Sequence, residues 1–543
     1  MPHFIITFLD YADYYLSGPA FILLLMGTGL FFTLYLRFPQ ARLFKRSVTL
    51  LLGKDKQKQE GDVSVLQSLA NSLASSIGAG TISGVAMAIH IGGPSSVFWI
   101  CMNGFLGMAT RMAETMACHR YREKTIEGSF TGGPMYFLDK RLGMPTLGVL
   151  FALGAILTTF LGGNLPQVNG MTALIAQQWG IDKRVIALLL TFFVGIVILG
   201  GIKRISQVTE LLVPFMTVIY IALSFSIIAI NYKQIGPSLY SMFAHPFRTA
   251  PAVGGFLGAS FSRLMQNGIN YGFFTNDSGT GSAPIAHCAS KEKESGKVAI
   301  MSMIEPFIST CLLCTLTALA IISTGKFHTK VDHVFDTIDI EVIAGDHTQN
   351  MEVLHKHVAT HEKLPLFTGS LTIAQGKVVD KDITVLHNYS LTEEIAIREN
   401  DKLFSGTIAV IEGHIVGLKG GMVIRGKSIV KEAKLGLATF SDTPYGWLTA
   451  FLMILCFLLF AFSTVIAYCY FGDRALVYLG GGKYLLPYKL FFVGCVFIGS
   501  ILEATLIWRA AVVACAMMAI PNLIGLLLMR KEIKESIEKA SGQ

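Results

Sequence analysis

The chain has 543 residues, of which 52% are hydrophobic and only 15% charged, with 37 phenylalanines and a mean hydropathy of +0.55. Soluble domains carry roughly 25% charged residues, so a fold surrounded by water is excluded and a membrane protein is implied. The net charge of +8 is spread over short basic clusters between apolar segments, a pattern that excludes a nucleic-acid-binding face and carries topology instead.

From the N-terminus, the first 18 residues hold acids and aromatics without a basic leader region, which argues against a cleaved signal peptide. A bilayer-spanning helix needs about 20 apolar residues, and about eleven stretches qualify on that length. They run near 19–36, 65–91, 95–118, 148–178, 185–201, 208–230, 252–287, 298–323, 445–470, 486–507 and 509–529. Taking the first as an accessory helix leaves a core of ten. The chain then divides into 1–62 (accessory helix and linker), 63–231 (first five-helix repeat), 232–324 (core helices six and seven), 325–440 (an insertion), 441–530 (core helices eight to ten) and 531–543 (tail). The insertion carries short alternating runs, Ile383–Leu386, Thr407–Ile411 and His414–Leu418, bounded by Gly, Asp and Asn, which suits β-strands. His355, His357 and His361 within it are read as solvated histidines in preference to metal ligands, because no fourth ligand or zinc-finger spacing accompanies them. All nine cysteines lie in or beside apolar segments, so no disulfide framework is expected, and Cys311 and Cys314 are read as packing residues.

Basic clusters at 37–58, 120–141, 203–204, 291–297, 474–489 and 531–539 occupy alternate loops. By the positive-inside rule these loops face the cytoplasm, which puts the N-terminus and the insertion outside and the C-terminus inside.

Two glycine-rich breaks, Gly78-Ala79-Gly80-Thr81 and Gly279-Thr280-Gly281-Ser282, fall in the first and sixth core helices. Singly, each could merely let helices pack closely. At matched positions in two halves they point to a transporter, because unwound backbone at membrane depth survives only where it is buried in protein or lines a cavity, and such pairs mark the substrate site between inverted repeats. The expected fold is an all-α multi-pass membrane protein with a ten-helix, five-plus-five core, one extra N-terminal helix and a β-rich outward-facing insertion.

Five blocks, Asn71–Ile89, Gly92–Arg122, Gly200–Tyr220, Tyr271–Ala289 and Leu459–Leu476, resemble the alanine/glycine:cation symporter family. The resemblance spans nearly all the chain outside the insertion. It implies sodium-coupled import of alanine or glycine on the inverted-repeat fold of the bacterial leucine transporter, in a bacterial inner membrane, as a monomer and without a cofactor beyond the coupling Na+. No nucleophile–base constellation or phosphate loop suggests an enzyme.

A small zwitterion needs N–H donors for its carboxylate and oxygens for its ammonium. Amides of Gly78, Ala79 and Gly80 meet the first need at a half-helix N-terminus, and Thr275, Asn276 and Asp277 meet the second, with Gly279 leaving space. Asp277 is ionisable at membrane depth, by default a functional hypothesis, against the bland reading of a structural carboxylate. By resemblance to the fold, one sodium joins the carbonyls of Ala74 and Ile77 to the hydroxyls of Ser463 and Thr464, and a second lies near Ser76, Thr81 and Thr275. The Ser463-Thr464 pair could equally back-bond to carbonyls four residues earlier. Gln167 matches a substrate-facing family Gln, or satisfies backbone freed by Pro166. Thr464 and Tyr468 complete the expected substrate lining. Three departures stand out: the family's first break usually reads Gly-Thr-Gly-Asn, its usual Glu in the sixth helix is Asp277 here, and its Trp after Ser-Thr is Tyr468. Two rival readings are a proton-coupled permease, with Asp277 or Glu114 as carrier, and a substrate sensor on a transporter scaffold.

Overall fold

The computed structural model describes residues 18–53, 61–125, 128–335, 337–359, 362–400, 402–418, 421–502 and 504–542. The accessory helix, Pro19–Tyr35, lies along the second core helix, Ser96–Arg120. Gly29 makes that approach possible, since a Cβ there would stand 2.9 Å from the Cβ of Leu106. Small residues at helix crossings do this work in lipid, where no hydrophobic drive pushes helices together.

The first core helix starts at a capping box, in which Ser64 and Gln67 satisfy each other's backbone amides, and runs Val65–Ser76. It unwinds at 77–79, re-forms with a π-helical turn at Gly80–Gly84, continues Val85–Gly92 and bends by 46°. The sixth runs Phe261–Asn276 and resumes only at Pro284–Cys288. Between them Asp277 adopts a left-handed φ of 54°, and Gly279 and Gly281 take φ of 98° and 76°, conformations in which a side chain is strained. Residues 252–260, which the sequence places in this helix, stand outside it, and 250–259 form a tight extended turn in which Ala250 bridges Ala259.

The third core helix differs from its expected continuous form. Pro145–Leu161 and Leu165–Trp179 are separated at 162–164, where the Thr158 carbonyl accepts both the Gly162 and Gly163 N–H groups. The remaining core helices are Lys183–Leu199, Gly201–Ile230, Ser295–Thr324, Gly446–Gly480, Leu485–Ile501 and Ala504–Leu528, and a tail helix, Arg530–Ser541, turns away from the last. Among the described residues five helical segments are long and apolar enough to cross a bilayer, the third core helix being taken across its break, and two bent pairs join them when each is taken as one span: the halves of the first core helix, and Val513–Leu528 with the tail helix. The accessory helix and Lys183–Leu199 are apolar but 17 residues long, and the second core helix turns Asn103, Arg111 and Glu114 inward. Exposed Leu188, Phe192, Leu211 and Phe491 give the helical surface an apolar exterior, as a lipid-facing belt requires.

The two ends of the bundle differ. At one, Arg46 donates to the carbonyls of Ala540 and Ser541, and Arg120 and Arg141 both pair with Glu532 at 2.9 Å, so basic loops and tail helix gather together. At the other sits the insertion. Its strands form two four-stranded sheets and one three-stranded sheet, all antiparallel. The alternating run Thr407–Ile411 turns Ile408 and Val410 inward, onto Val342, Leu371, Ile397 and Ile424. His355 bonds the Leu257 carbonyl, and His357 accepts from the Leu364 amide; His361 lies outside the described residues.

Entry and exit strands of the insertion, Lys330–Val334 and Met422–Ile429, pair with Lys330 opposite Ile429. Residues 432–440, which the sequence assigns to the insertion, belong to a helix, Glu432–Ser441, packed on the core: a Cβ at Gly436 would stand 2.8 Å from Ile82, and Leu435 is fully buried with Val85 and Ile89. Replacing residues 331–428 with a two-residue turn therefore joins chain ends that are already neighbours, and the trimmed protein should stay monodisperse in detergent. Excising 325–435 instead removes Phe327, Val430 and Leu435 from the buried cluster, and a loss of about 2–5 kcal/mol for each large side chain should lower the thermal midpoint well below that of the first variant.

Candidate functional site

Between the two helix breaks lies a cavity of about 20 Å³ lined by Gly78, Gly80, Gln167, Phe274, Thr464 and Tyr468, with Ser75, Gly162 and Cys515 completing its wall. It is thus built by the first, third, sixth, eighth and tenth core helices. The glycines are required by close approach: a Cβ at Gly78 would stand 2.5 Å from Thr464 Oγ1, and one at Gly163 would stand 2.2 Å from the Tyr468 ring.

The unwound segments are held by side chains from a distance. The Ala79 N–H donates to Gln167 Oε1 at 3.0 Å, and Thr464 Oγ1 donates to the Ala74 carbonyl at 2.8 Å while also reaching Phe460 O at 3.0 Å. Tyr468 donates to Asp277 Oδ1 at 3.0 Å. Asp277 is 3% exposed, and its second oxygen, Oδ2, has no hydrogen-bonding partner. A buried acceptor left unsatisfied is costly, so this oxygen is free to receive an N–H donor. Thr81 is likewise buried with an unpartnered hydroxyl.

Other residues singled out in the sequence turn elsewhere. Ser463 bonds the Phe460 carbonyl at 2.9 Å and touches Met216 Sδ, so its hydroxyl points along its own helix and away from Ala74. Thr275 donates to the Gly272 carbonyl and meets Thr310 at 3.0 Å. Asn276 donates to Asn103 and caps the Ser278 amide. Ser76 reaches Ser72 O at 3.3 Å and Asn276 O at 3.4 Å, joining the two breaks. Ile77 closes the first half-helix through its N–H to Leu73 O. Gly279 faces Leu25 of the accessory helix, not the cavity.

The sequence points to Glu114 but not to the charged cluster to which it belongs, beside the breaks. Arg111, fully buried, contacts Glu114 at 3.3 Å and Glu305 at 3.4 Å and donates to the Asn276 carbonyl at 2.5 Å. Glu114 Oε1 accepts from the amides of Gly279 and Gly281 and from Asn522 Nδ2 at 2.6 Å. Glu305 accepts from Ser72 at 2.5 Å and meets His287 Nε2 at 2.5 Å. The available signal was an Arg, a Glu and a His inside apolar stretches, each costly in lipid unless paired.

Breaking a buried pair leaves an uncompensated charge and costs about 3–5 kcal/mol. Arg111→Ala should therefore lower the thermal midpoint of the purified protein strongly. Arg120→Ala, whose side chain is 46% exposed beside Glu532, should change stability by less than about 1 kcal/mol, which makes it the control.

The family model for the sodium:alanine symporter family matches residues 3–391 and 405–542. The match runs on through much of the insertion and leaves out only 392–404 between its two parts. The chain is 31% identical to the sodium/alanine symporter AgcS of Methanococcus maripaludis, over 96% of this chain and 94% of that protein. It is 27% identical to the putative sodium/proton-dependent alanine carrier protein YrbD of Bacillus subtilis, over 94% and 87%. Among solved structures, MhsT in complex with L-phenylalanine superposes with a TM-score of 0.51 at 11% identity, covering 87% of this chain and 90% of that one, a likeness of fold alone. The protein is thus a multi-pass membrane transporter with a ten-helix inverted-repeat core, and it belongs to the sodium:alanine symporter family.

Proposed function

We propose that the protein imports a small neutral amino acid, alanine or glycine, together with sodium, across a bacterial inner membrane, with the basic end and C-terminus in the cytoplasm and the N-terminus and insertion outside. The observation that carries the reading is the free Asp277 Oδ2 beside Tyr468 at the edge of a glycine-lined cavity. That oxygen is the acceptor for the substrate ammonium. The carboxylate goes to the amides at Gly78–Gly80, where it exchanges with Gln167 Oε1 for the Ala79 N–H. Space for the side chain comes from Gly78 and Gly80, and any larger residue there closes the cavity.

Sodium is a second substrate, and hard cations take oxygen ligands. Two oxygens suited to it already converge, the Ala74 carbonyl and Thr464 Oγ1. Thr81, with its unpartnered hydroxyl, supports a second ion on the other side of the break. Ser463 joins the first set by a rotamer change that releases Phe460. YrbD is described as a putative sodium/proton-dependent carrier, and the rival reading of proton coupling directs attention to Glu114. Its carboxylate is engaged by Arg111, two backbone amides and Asn522, which suits a structural role better than a mobile proton carrier.

In proteoliposomes, uptake of labelled alanine or glycine should follow an imposed sodium gradient without ATP, and uptake as fast in choline, or driven by a proton gradient at equal voltage, would overturn the reading.

Thr464→Ala should raise the half-saturating sodium concentration about tenfold or more, a change on the order of 1.4 kcal/mol, and saturating sodium should restore alanine binding through linkage. Asp277→Asn removes the ammonium's partner, and sodium should not rescue it. The reverse pattern would assign Asp277 to the ion.

A further inference from the structure

A cavity of about 410 Å³ separates the insertion from the outer halves of the first and sixth core helices. Ser83, Gly84 and Tyr271 form its floor, and Asp339, Glu341 and the hairpin tip Asn388–Tyr389 face them from the insertion. The floor continues the central site outward: Gly80 and Phe274 line the small cavity, and Gly84 and Tyr271 lie about one turn further along the same two helices. A Cβ on Gly84 would meet the Tyr271 ring at 3.4 Å, so this contact is the partition between the two spaces.

The lining is chemically organised. Three carboxylates, Asp339, Glu341 and Glu432, face it with one ammonium, Lys431, which sits 2.5 Å from Asp339. An ammonium has three donors, so Lys431 can hold Asp339 and a second anion together. Burial raises the Glu341 carboxyl, but His357 beside it, at 3.4 Å, brings it below the ordinary carboxylate range, so it is charged. His90 lines the same space, is 1% exposed, and its ring makes no well-formed hydrogen bond, having only a weak contact to the Asn388 backbone. Buried polar groups are rarely left unpaired. Ligand pockets run from about 300 to 1,000 Å³, and this one falls in that range where the central cavity does not.

We propose that this chamber is a second amino-acid site, made jointly by the insertion and the core, which receives a neutral zwitterion before it passes Tyr271 to the central site. Glu341 takes the ammonium. Lys431 and His90 take the carboxylate. The chamber is roomy, so it accepts side chains that the glycine-lined central site rejects. The choice of ligand class rests on the amino-acid transport reading; the existence of the chamber does not.

The test is equilibrium binding of labelled alanine to the full-length protein in detergent at saturating sodium. Wild type should bind two equivalents, of which unlabelled leucine displaces one. Asp277→Asn should keep only the leucine-sensitive equivalent, and Glu341→Gln, an isosteric change at a position 33% exposed, should weaken that equivalent at least tenfold while leaving the other. As a second measurement, alanine should slow hydrogen exchange of residues 383–391 in Asp277→Asn. One equivalent in wild type, lost in Asp277→Asn and indifferent to leucine and Glu341→Gln, overturns the chamber and leaves the central site standing. One equivalent kept in Asp277→Asn and lost in Glu341→Gln supports the chamber and overturns the central assignment. No binding at all overturns both.

Discussion

Everything at the centre of this protein depends on one electrostatic arrangement, the guanidinium of Arg111 held between Glu114 and Glu305 against the Asn276 carbonyl. Two helices are unwound at membrane depth, and their released amides and carbonyls have no water to turn to. The cluster supplies their partners. Glu114 takes the amides of Gly279 and Gly281, Arg111 takes the last carbonyl of the sixth helix's first half, and Glu305 anchors Ser72 of the first. Five helices contribute to it, so it fixes their relative position as well as satisfying the backbone. Buried ion pairs are weak evidence of net stability, and here the gain is specificity: both breaks are held in one conformation.

With one side of the breaks tied down in this way, the other side is held by fewer bonds. Thr464, Gln167 and Tyr468 each donate or accept one bond to an unwound segment or to Asp277. These are single contacts, exchangeable for contacts to an ion or a zwitterion at small net cost, since a typical hydrogen bond contributes only about 0.5–1.5 kcal/mol. The contrast between a multiply bonded floor and a singly bonded wall distinguishes scaffold from site.

The insertion is attached with economy. Its first and last strands pair side by side, so it enters and leaves the core at one place, yet Arg263, Leu257 and Gly255 bind it at others. Tyr389 stacks over the Arg263 guanidinium at 5.2 Å and approaches the His90 ring. The insertion is thus held at several points above the ends of the two broken helices that lie away from the basic loops and tail helix.

Helix number, the two breaks, the accessory helix and the strand-forming insertion were legible in the sequence, because hydropathy and glycine placement act locally and lipid penalises any alternative. Asp277, Thr464 and Gln167 were legible as polar residues at membrane depth. What each of them faces was not. A helix turns 100° per residue, so whether Ser463 or Thr464 points at Ala74, or Gly279 at the cavity or at Leu25, depends on how neighbouring helices are rotated and packed. The break in the third helix, the burial of residues 432–441 and the meeting of Arg111, Glu114 and Glu305 were likewise decided only by tertiary structure, since charges far apart in sequence become partners only when several helices close around them.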